Sequence, residues 1–259
     1  MPATRITSLE LALRQAILIA SSLLISLSKS FVNLTEKIYP FLIIFGVSML
    51  IFGWAWGLFF APQDAVQGNS YRIIFLHVPS VIFAELIYFF MAVCALMHLV
   101  WRVKLAAYLI KSAAPIGAMI TFIGLFSGSI WGIPTWGTWW QWDARITSTL
   151  ILFIMYLGIL TLHGSFSNLE KADRLMSILV IIGVINIPII KKSVDWWSTL
   201  HQPASISVSG SSSIDPSMLY PLFISVIGLG FTLIALGILT SRSYIFTREK
   251  NKRCVLEHV

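Results

Sequence analysis

The sequence predicts an all-α integral membrane protein with six transmembrane helices, N-in/C-in, and a tryptophan-rich loop on the outer face. Three observations predict this fold. Apolar residues make up 57% of the chain and charged residues only 11%, which is about half the charged fraction of an ordinary soluble domain. The apolar residues gather in six segments, each near the roughly 20 residues that cross the hydrocarbon core as a helix. Lys and Arg are unevenly divided between the segments that join them.

The six segments divide the chain into an arm, a membrane domain and a tail. Residues 1–38 are expected to form a partly amphipathic cytoplasmic arm, because Arg14 and several serines interrupt its apolar run. Residues 39–241 form the membrane domain, and residues 242–259 form a basic cytoplasmic tail. The predicted spans are residues 39–60, 73–101, 109–130, 144–162, 175–190 and 218–240.

The positions of the basic residues predict the orientation. With the N-terminus inside, the cytoplasmic segments carry fourteen of the eighteen Lys and Arg residues and the outer segments carry four. Cytoplasmic loops are enriched in these residues, so both termini are expected inside. The net charge of +7 therefore indicates membrane orientation, and no nucleic acid partner is expected. The chain has no C-x-x-C-H motif of a c-type cytochrome and no phosphate-binding loop for ATP.

The most unusual segment is the predicted outer loop 131–143, W-G-I-P-T-W-G-T-W-W-Q-W-D. Gly132, Pro134 and Gly137 interrupt it, which predicts a loop and not a plain membrane helix. It holds half of the ten tryptophans of the chain, namely Trp131, Trp136, Trp139, Trp140 and Trp142. Such rings suit a membrane–water interface, and they also suit a platform for a large flat ligand. The composition alone leaves both interpretations open.

Two of the five histidines fall on the same outer side as this loop. His77 comes at the outer start of the second span, and His201 lies in the last outer loop. Neutral imidazoles bind iron, and two of them can occupy the axial positions of a haem. The alternative for each is a hydrogen-bonded side chain at a helix end. A zinc site is less favoured because no third or fourth ligand clusters with them in the sequence.

Charged residues near the two histidines extend the candidate site. Arg72 and Arg145 are two of the four outer basic residues, and they could pair with the propionates of a haem or anchor the membrane surface. Asp143 is placed to cap the fourth span. Glu85 lies inside the second span, where a carboxylate is a functional candidate, although it could also be protonated and bonded to a neighbouring helix. Outside the loop, Trp196 and Trp197 precede His201 and would extend the aromatic surface.

Three motifs resemble the haem exporter protein C family of cytochrome c maturation. They are Y-R-I-I-F-L-H-V-P-S around His77, the loop W-G-T-W-W-Q-W-D followed by A-R-I-T-S-T-L-I-L, and N-I-P-I-I-K-K-S-V-D-W-W-S-T-L-H-Q-P ending near His201. They occur in the family's order within residues 40–240. The pair Lys191 and Lys192 departs from the more apolar stretch expected there.

The resemblance implies a function that composition could not give. Haem, expected as haem b, would be held by the tryptophan-rich loop, with His77 and His201 as axial ligands of its iron. The haem would pass to a membrane-anchored periplasmic haem chaperone, which binds it covalently. An ABC transporter made of ATPase and membrane subunits, with a small membrane subunit, would complete the complex. The protein is not expected to be an enzyme.

Three alternatives remain open at this point. A related tryptophan-rich haem lyase or synthase would usually be longer and carry more outer histidines. A transporter moving haem across the bilayer should carry charged residues in the middle of several spans. A ligand-free membrane assembly subunit could use its tryptophans to bind a partner protein. The expected location is the bacterial inner (cytoplasmic) membrane, with the mitochondrial inner membrane less favoured since no clear transit peptide is seen.

Overall fold

The computed structural model describes residues 8–197, 199–201 and 214–249, with side chains from residue 28 onward. Within these residues the chain is helical apart from short connections. A π-helical turn, Trp56–Phe60, ends the first helix, and a 3-10 turn, Asn69–Ile73, precedes the second. The α-helices are α1 Ser8–Ala55, α2 Ile74–Trp101, α3 Lys104–Trp136, α4 Ala144–Gly164, α5 Leu169–Gly183, α6 Asn186–Trp196 and α7 Pro216–Glu249.

The six-span prediction is confirmed for the described part of the chain. Six helical segments are long and apolar enough to cross a membrane, with α5 and α6 together forming the fifth. Within each α-helix the backbone N–H and C=O groups bond to one another, which is the condition for spanning hydrocarbon. The chain is therefore a multi-pass, all-α membrane protein.

Small residues allow the helices to pack closely. α1 lies along α7, and α2 lies along α3, which also contacts α4 and α7. Tyr156 on α4 fits against Gly117 of α3, and Tyr88 on α2 fits against Gly183 of α5; a Cβ at either glycine would lie about 2 Å from the tyrosine. Glycine at such contacts is typical of helix packing in membranes. Both tyrosines are fully buried.

The structure shortens the predicted loop 131–143. α3 continues through Gly132 and Pro134 to Trp136, so the non-helical part is residues 137–143. Helices in membranes tolerate Gly and Pro because neighbouring groups satisfy the freed backbone atoms. The helix ends at Gly137, which has φ 75°, a conformation that favours glycine. Gly132 has a packing role, since a Cβ there would lie 2.8 Å from the Thr138 carbonyl oxygen.

Two other boundaries differ from expectation. α1 runs without a break past residue 38, so no structural boundary separates the predicted arm from the first span. The predicted fifth span consists of two helices, because Pro188 has no N–H to donate to the carbonyl of Val184. The α5–α6 break lies between Gly183 and Asn186. Residues 1–7 of the predicted arm and residues 250–259 of the predicted tail lie outside the described residues.

Candidate functional site

His77 is held against α3 by a hydrogen bond from its ring. Its Nδ1 lies 3.0 Å from the carbonyl oxygen of Gly124 and 3.2 Å from Oγ of Ser127. A carbonyl oxygen only accepts, so Nδ1 carries the hydrogen and Nε2 keeps its lone pair in the neutral ring. Gly128 makes room for this ring, because a Cβ at that position would lie 2.8 Å from Cε1 of His77.

His201 is held in the corresponding way by a carboxylate. Its Nδ1 donates to Oδ2 of Asp143 over 3.0 Å, while Oδ1 of Asp143 accepts from the backbone N–H of Ile146 over 2.8 Å. The predicted capping of α4 by Asp143 is therefore confirmed, and the same carboxylate also orients His201. Burial lowers the pKa of His201 despite the opposing effect of Asp143. The ring is thus neutral at pH 7, with Nε2 unprotonated.

Two tryptophans of α3 bring the histidines to one end of the helix bundle, here called the histidine end. The ring centroids of Trp131 and His77 lie 5.6 Å apart, and those of Trp136 and His201 lie 4.7 Å apart. Both pairs meet edge to face. Residues five apart on a helix are separated by about 7.5 Å along its axis, and the two imidazoles lie within range of electrostatic interaction with each other. Among the described residues, no group of three or more His, Cys, Asp or Glu is arranged to hold a metal ion.

The remaining tryptophans form a separate aromatic surface. Trp140 contacts Trp139 at 5.9 Å and Trp142 at 5.5 Å between centroids. Trp139 and Trp142 are largely exposed, as are Trp196 and Trp197, which contact each other at 5.7 Å between centroids. The indole nitrogen of Trp140 is buried without a hydrogen-bond partner.

The two candidate arginines differ in their contacts. Arg72 donates from both terminal nitrogens to backbone carbonyls, of Leu58 at 2.7 Å and Ala61 at 2.6 Å, and so caps the π-helical turn. Arg145 is partly buried and donates from Nε to Oγ of Ser193 over 3.2 Å. It lies within range of electrostatic interaction with both site histidines. Arg145 therefore belongs to the histidine end, whereas the guanidinium of Arg72 is engaged by the backbone.

Glu85 is paired across the bundle. Its side chain is 6% exposed, and its Oε2 lies 2.9 Å from Nζ of Lys191 on α6. Glu85 therefore pairs with Lys191, the lysine that departs from the apolar stretch expected in N-I-P-I-I-K-K. This arrangement joins α2, which carries His77, to the helix that precedes His201.

Sequence reasoning missed the residues that support the two rings. Gly124, Ser127 and Gly128 form the wall behind His77, and Gln67 accepts a 2.7 Å hydrogen bond from the indole of Trp131. One signal was present, since G-L-F-S-G at 124–128 places two glycines four residues apart, a spacing typical of close helix contacts. Nothing in the local sequence around Gln67 indicates its partner.

Comparison with known proteins shows to which family the chain is similar. The sequence profile of the family described as "Heme exporter protein C" matches residues 23–256. The protein of that name from Escherichia coli K12 is 48% identical over 218 residues, covering 84% of this chain and 88% of its own. The one from Bradyrhizobium diazoefficiens is 44% identical over 219 residues, covering 85% and 83%.

A mitochondrial relative matches as well. A protein of Marchantia polymorpha, named as a ccmC-like mitochondrial protein of cytochrome c biosynthesis, is 42% identical over 212 residues. The match covers 78% of this chain and 90% of that protein. The family profile and the relatives cover most of the chain, including the three motifs and both site histidines. The chain therefore belongs to the haem exporter protein C family.

Proposed function

We propose that this protein binds haem b at the histidine end, on the periplasmic side of the bacterial inner membrane, and presents it to a haem chaperone during cytochrome c maturation. The observation that carries the proposal is that both histidines are hydrogen-bonded in the same way, through Nδ1. Each imidazole donates from Nδ1 to an oxygen acceptor, from His77 to Gly124 and from His201 to Asp143. Each therefore keeps an Nε2 lone pair for iron. Histidines that bind a metal usually donate a hydrogen bond from their other ring nitrogen to a carboxylate, a carbonyl or water.

The tryptophans suit the rest of a haem. Its ring is large, flat and apolar, so aromatic side chains can shield it from water. Trp131 and Trp136 stand directly beside the two imidazoles and would contact the macrocycle near the iron. The exposed Trp139 and Trp142 would extend this contact toward the membrane surface and the incoming chaperone.

Arg145 is the cation best placed for a propionate. It has no carboxylate within ion-pairing distance among the described side chains, and its hydrogen bonds are to neutral oxygens of Ser193 and Lys191. A propionate would give it a charge-assisted partner. Arg72 was expected to play the same part, but its existing bonds to Leu58 and Ala61 make Arg145 the favoured residue.

The partly exposed position of His201 suits the delivery of haem to a second protein. His201 lies on the connection between α6 and α7, and its side chain is 20% exposed. A second protein can reach such a ligand, whereas a haem enclosed within the bundle would be inaccessible. In this proposal the chain acts within an ABC-type complex, with ATPase, membrane and small membrane subunits. The protein supplies binding and orientation, and the covalent step takes place on the chaperone.

An absorption spectrum of the purified protein with added haem, in the absence of the chaperone, tests the proposal. We expect a low-spin, six-coordinate spectrum that is lost in His77→Ala and His201→Ala. His98→Ala is the matched control, because His98 lies near the opposite end of α2 and bonds the Val103 carbonyl. An unchanged spectrum in both site variants would overturn the ligand assignment. A colourless protein that still binds its partners would favour the ligand-free assembly subunit.

A further inference from the structure

The ion pair between Glu85 and Lys191 connects the two parts of the chain that carry the histidines. Glu85 lies eight residues after His77 on α2, or about 12 Å along the helix axis. Lys191 lies on α6, ten residues before His201. Their charged atoms are 2.9 Å apart. The pair therefore spans from the helix of one proposed iron ligand to the helix that leads to the other.

Apart from this ion pair, the polar contacts that α6 makes with other helices among the described residues are with α4. α6 is an 11-residue helix separated from α5 by a break at residues 184–185, and it packs chiefly on α4. Its polar contacts with α4 are a hydrogen bond from the side chain of Asn186 to the Ser148 carbonyl at 2.8 Å and hydrogen bonds from Arg145 to Oγ of Ser193 and to the Lys191 carbonyl. These contacts fix α6 relative to α4, whereas the ion pair is its charged link to α2. Apolar contacts add to that link, since Ile187 and Ile190 of α6 pack in the core that α2 also lines.

Because Glu85 is buried and Lys191 is largely exposed, the lysine moves to the carboxylate and not the reverse. The side chain of Glu85 is only 6% exposed, whereas that of Lys191 is 60% exposed. A carboxylate held away from water strongly favours a cation at a fixed position. Lys191 can reach it by laying its aliphatic stem along the apolar surface. The lysine, and with it α6, is thereby drawn toward α2.

We propose that Glu85 and Lys191 are positioning residues that set the separation of His77 and His201 by tying α6 to α2. This inference rests on the proposed function, since it assigns the pair a role in haem ligation. Two axial ligands must face one iron from opposite sides, so a small displacement of α6 would lengthen the bond to His201. The pair acts through the backbone of α6 and touches no haem atom itself.

Replacing both Glu85 and Lys191 tests the positioning of α6 without leaving a buried, unpaired charge. Lys191→Met alone leaves Glu85 buried and unpaired, which destabilises the fold. The double variant Glu85→Met/Lys191→Met removes the tie without leaving a buried charge. Lys192→Met is the matched control, because Lys192 pairs with Asp195 on the exposed surface of the same helix. Each variant is purified and titrated with haem, with its absorption spectrum recorded.

We expect the double variant to bind haem about tenfold more weakly, a change of about 1.4 kcal/mol, with a rise in the five-coordinate, high-spin fraction. Lys192→Met should match the wild type. A folded double variant with the wild-type spectrum and affinity would overturn the proposal.

A second measurement makes the test independent of haem. Spin labels are placed on cysteines at Leu76 of α2 and Asp195 of α6, with Cys94 and Cys254 replaced by Ala, and their separation is measured in the haem-free protein. The double variant should broaden or shift this separation, and an unchanged separation would contradict the positioning role. If the wild-type protein binds no haem, the proposed function fails, yet this measurement still decides whether the pair ties α6 to α2.

Discussion

Asp143 uses its two carboxylate oxygens for two different partners, and one of them is His201. Oδ2 accepts from Nδ1 of His201 over 3.0 Å, and Oδ1 accepts from the backbone N–H of Ile146 over 2.8 Å. The start of α4 and the orientation of a proposed iron ligand thus depend on one side chain. An amide could satisfy only one of these donors, because it has a single acceptor oxygen.

Asp143→Asn should therefore change the hydrogen position on His201. With its oxygen capping α4, the asparagine would turn its NH2 toward Nδ1, and the imidazole would then carry its hydrogen on Nε2. Such a ring cannot bind iron, so haem affinity should fall by about 10- to 100-fold. The measurement is a haem titration combined with the spin state of the bound haem. Wild-type affinity in a folded Asp143→Asn protein would contradict this role.

Haem binding should weaken in acid, at a pH below that of an ordinary histidine. Burial lowers the pKa of His201 from its usual 6.5, more than the contact with Asp143 raises it. The neutral ring binds iron, and protonation as the pH falls blocks Nε2. The association constant should therefore fall to half its alkaline value only at a pH below 6.5. Measurement in His77→Ala isolates the contribution of His201, and a midpoint above pH 6.5 would contradict the prediction.

Gly128→Ala should disturb His77 without removing it. The new Cβ would lie 2.8 Å from Cε1 of the imidazole, so the ring must move, and overpacking of this kind costs roughly 1–3 kcal/mol. We expect weaker haem binding and a larger high-spin fraction. Gly237→Ala is the matched control, because a Cβ at that position on α7 meets no atom within 4 Å. Equal haem affinities in the two variants would show that the contact with Gly128 does not position His77.

The sequence predicted the components of the site better than their arrangement. Topology alone placed His77, His201 and the tryptophan-rich segment on one side, because helix ends alternate between membrane faces. Two features depended on tertiary contacts and could not be read from the chain. The acceptor for His77 is a backbone carbonyl of α3, which any residue at position 124 would supply. The partner of Glu85 is 106 positions away, and only the fold brings Lys191 to it.

Local sequence rules also failed at one informative place. Gly132 and Pro134 predicted a loop, yet α3 continues to Trp136. The continued helix presents Trp131 and Trp136 from one rigid element, so the two tryptophans keep a fixed spacing beside the two histidines. A flexible loop would not give that spacing. The helix extension is therefore part of the geometry on which the proposed haem binding depends.

Arg145 and Arg72 should respond differently to the same substitution. Arg145→Gln should lower haem affinity by about tenfold, since a charge-assisted contact with a propionate is lost. Its thermal stability should fall by no more than the loss of the hydrogen bonds to Ser193 and Lys191 explains, which is about 0.5–1.5 kcal/mol for each bond. Arg72→Gln should lower the melting temperature instead, because it removes the donors to the carbonyls of Leu58 and Ala61. Haem titration and thermal unfolding of both variants separate these roles. A loss of haem affinity confined to folded Arg72→Gln would transfer the propionate contact to Arg72.

At the end of the bundle opposite the histidine end, Asp173 should control stability and leave haem binding unchanged. Its buried carboxylate accepts from Arg248 over 2.7 Å and lies 3.1 Å from Nε2 of His163, joining α5 to α7 and α4. Asp173→Asn leaves Arg248 without its anionic partner, and breaking a buried pair costs about 3–5 kcal/mol. Glu170→Gln is the control, since the exposed pair of Glu170 with Lys104 spans 3.9 Å and such pairs contribute about 0–1 kcal/mol. Thermal unfolding should show a large loss for Asp173→Asn alone, while the haem spectrum of the folded protein stays unchanged. A changed spectrum would mean that this end of the bundle is coupled to the histidine end through α7.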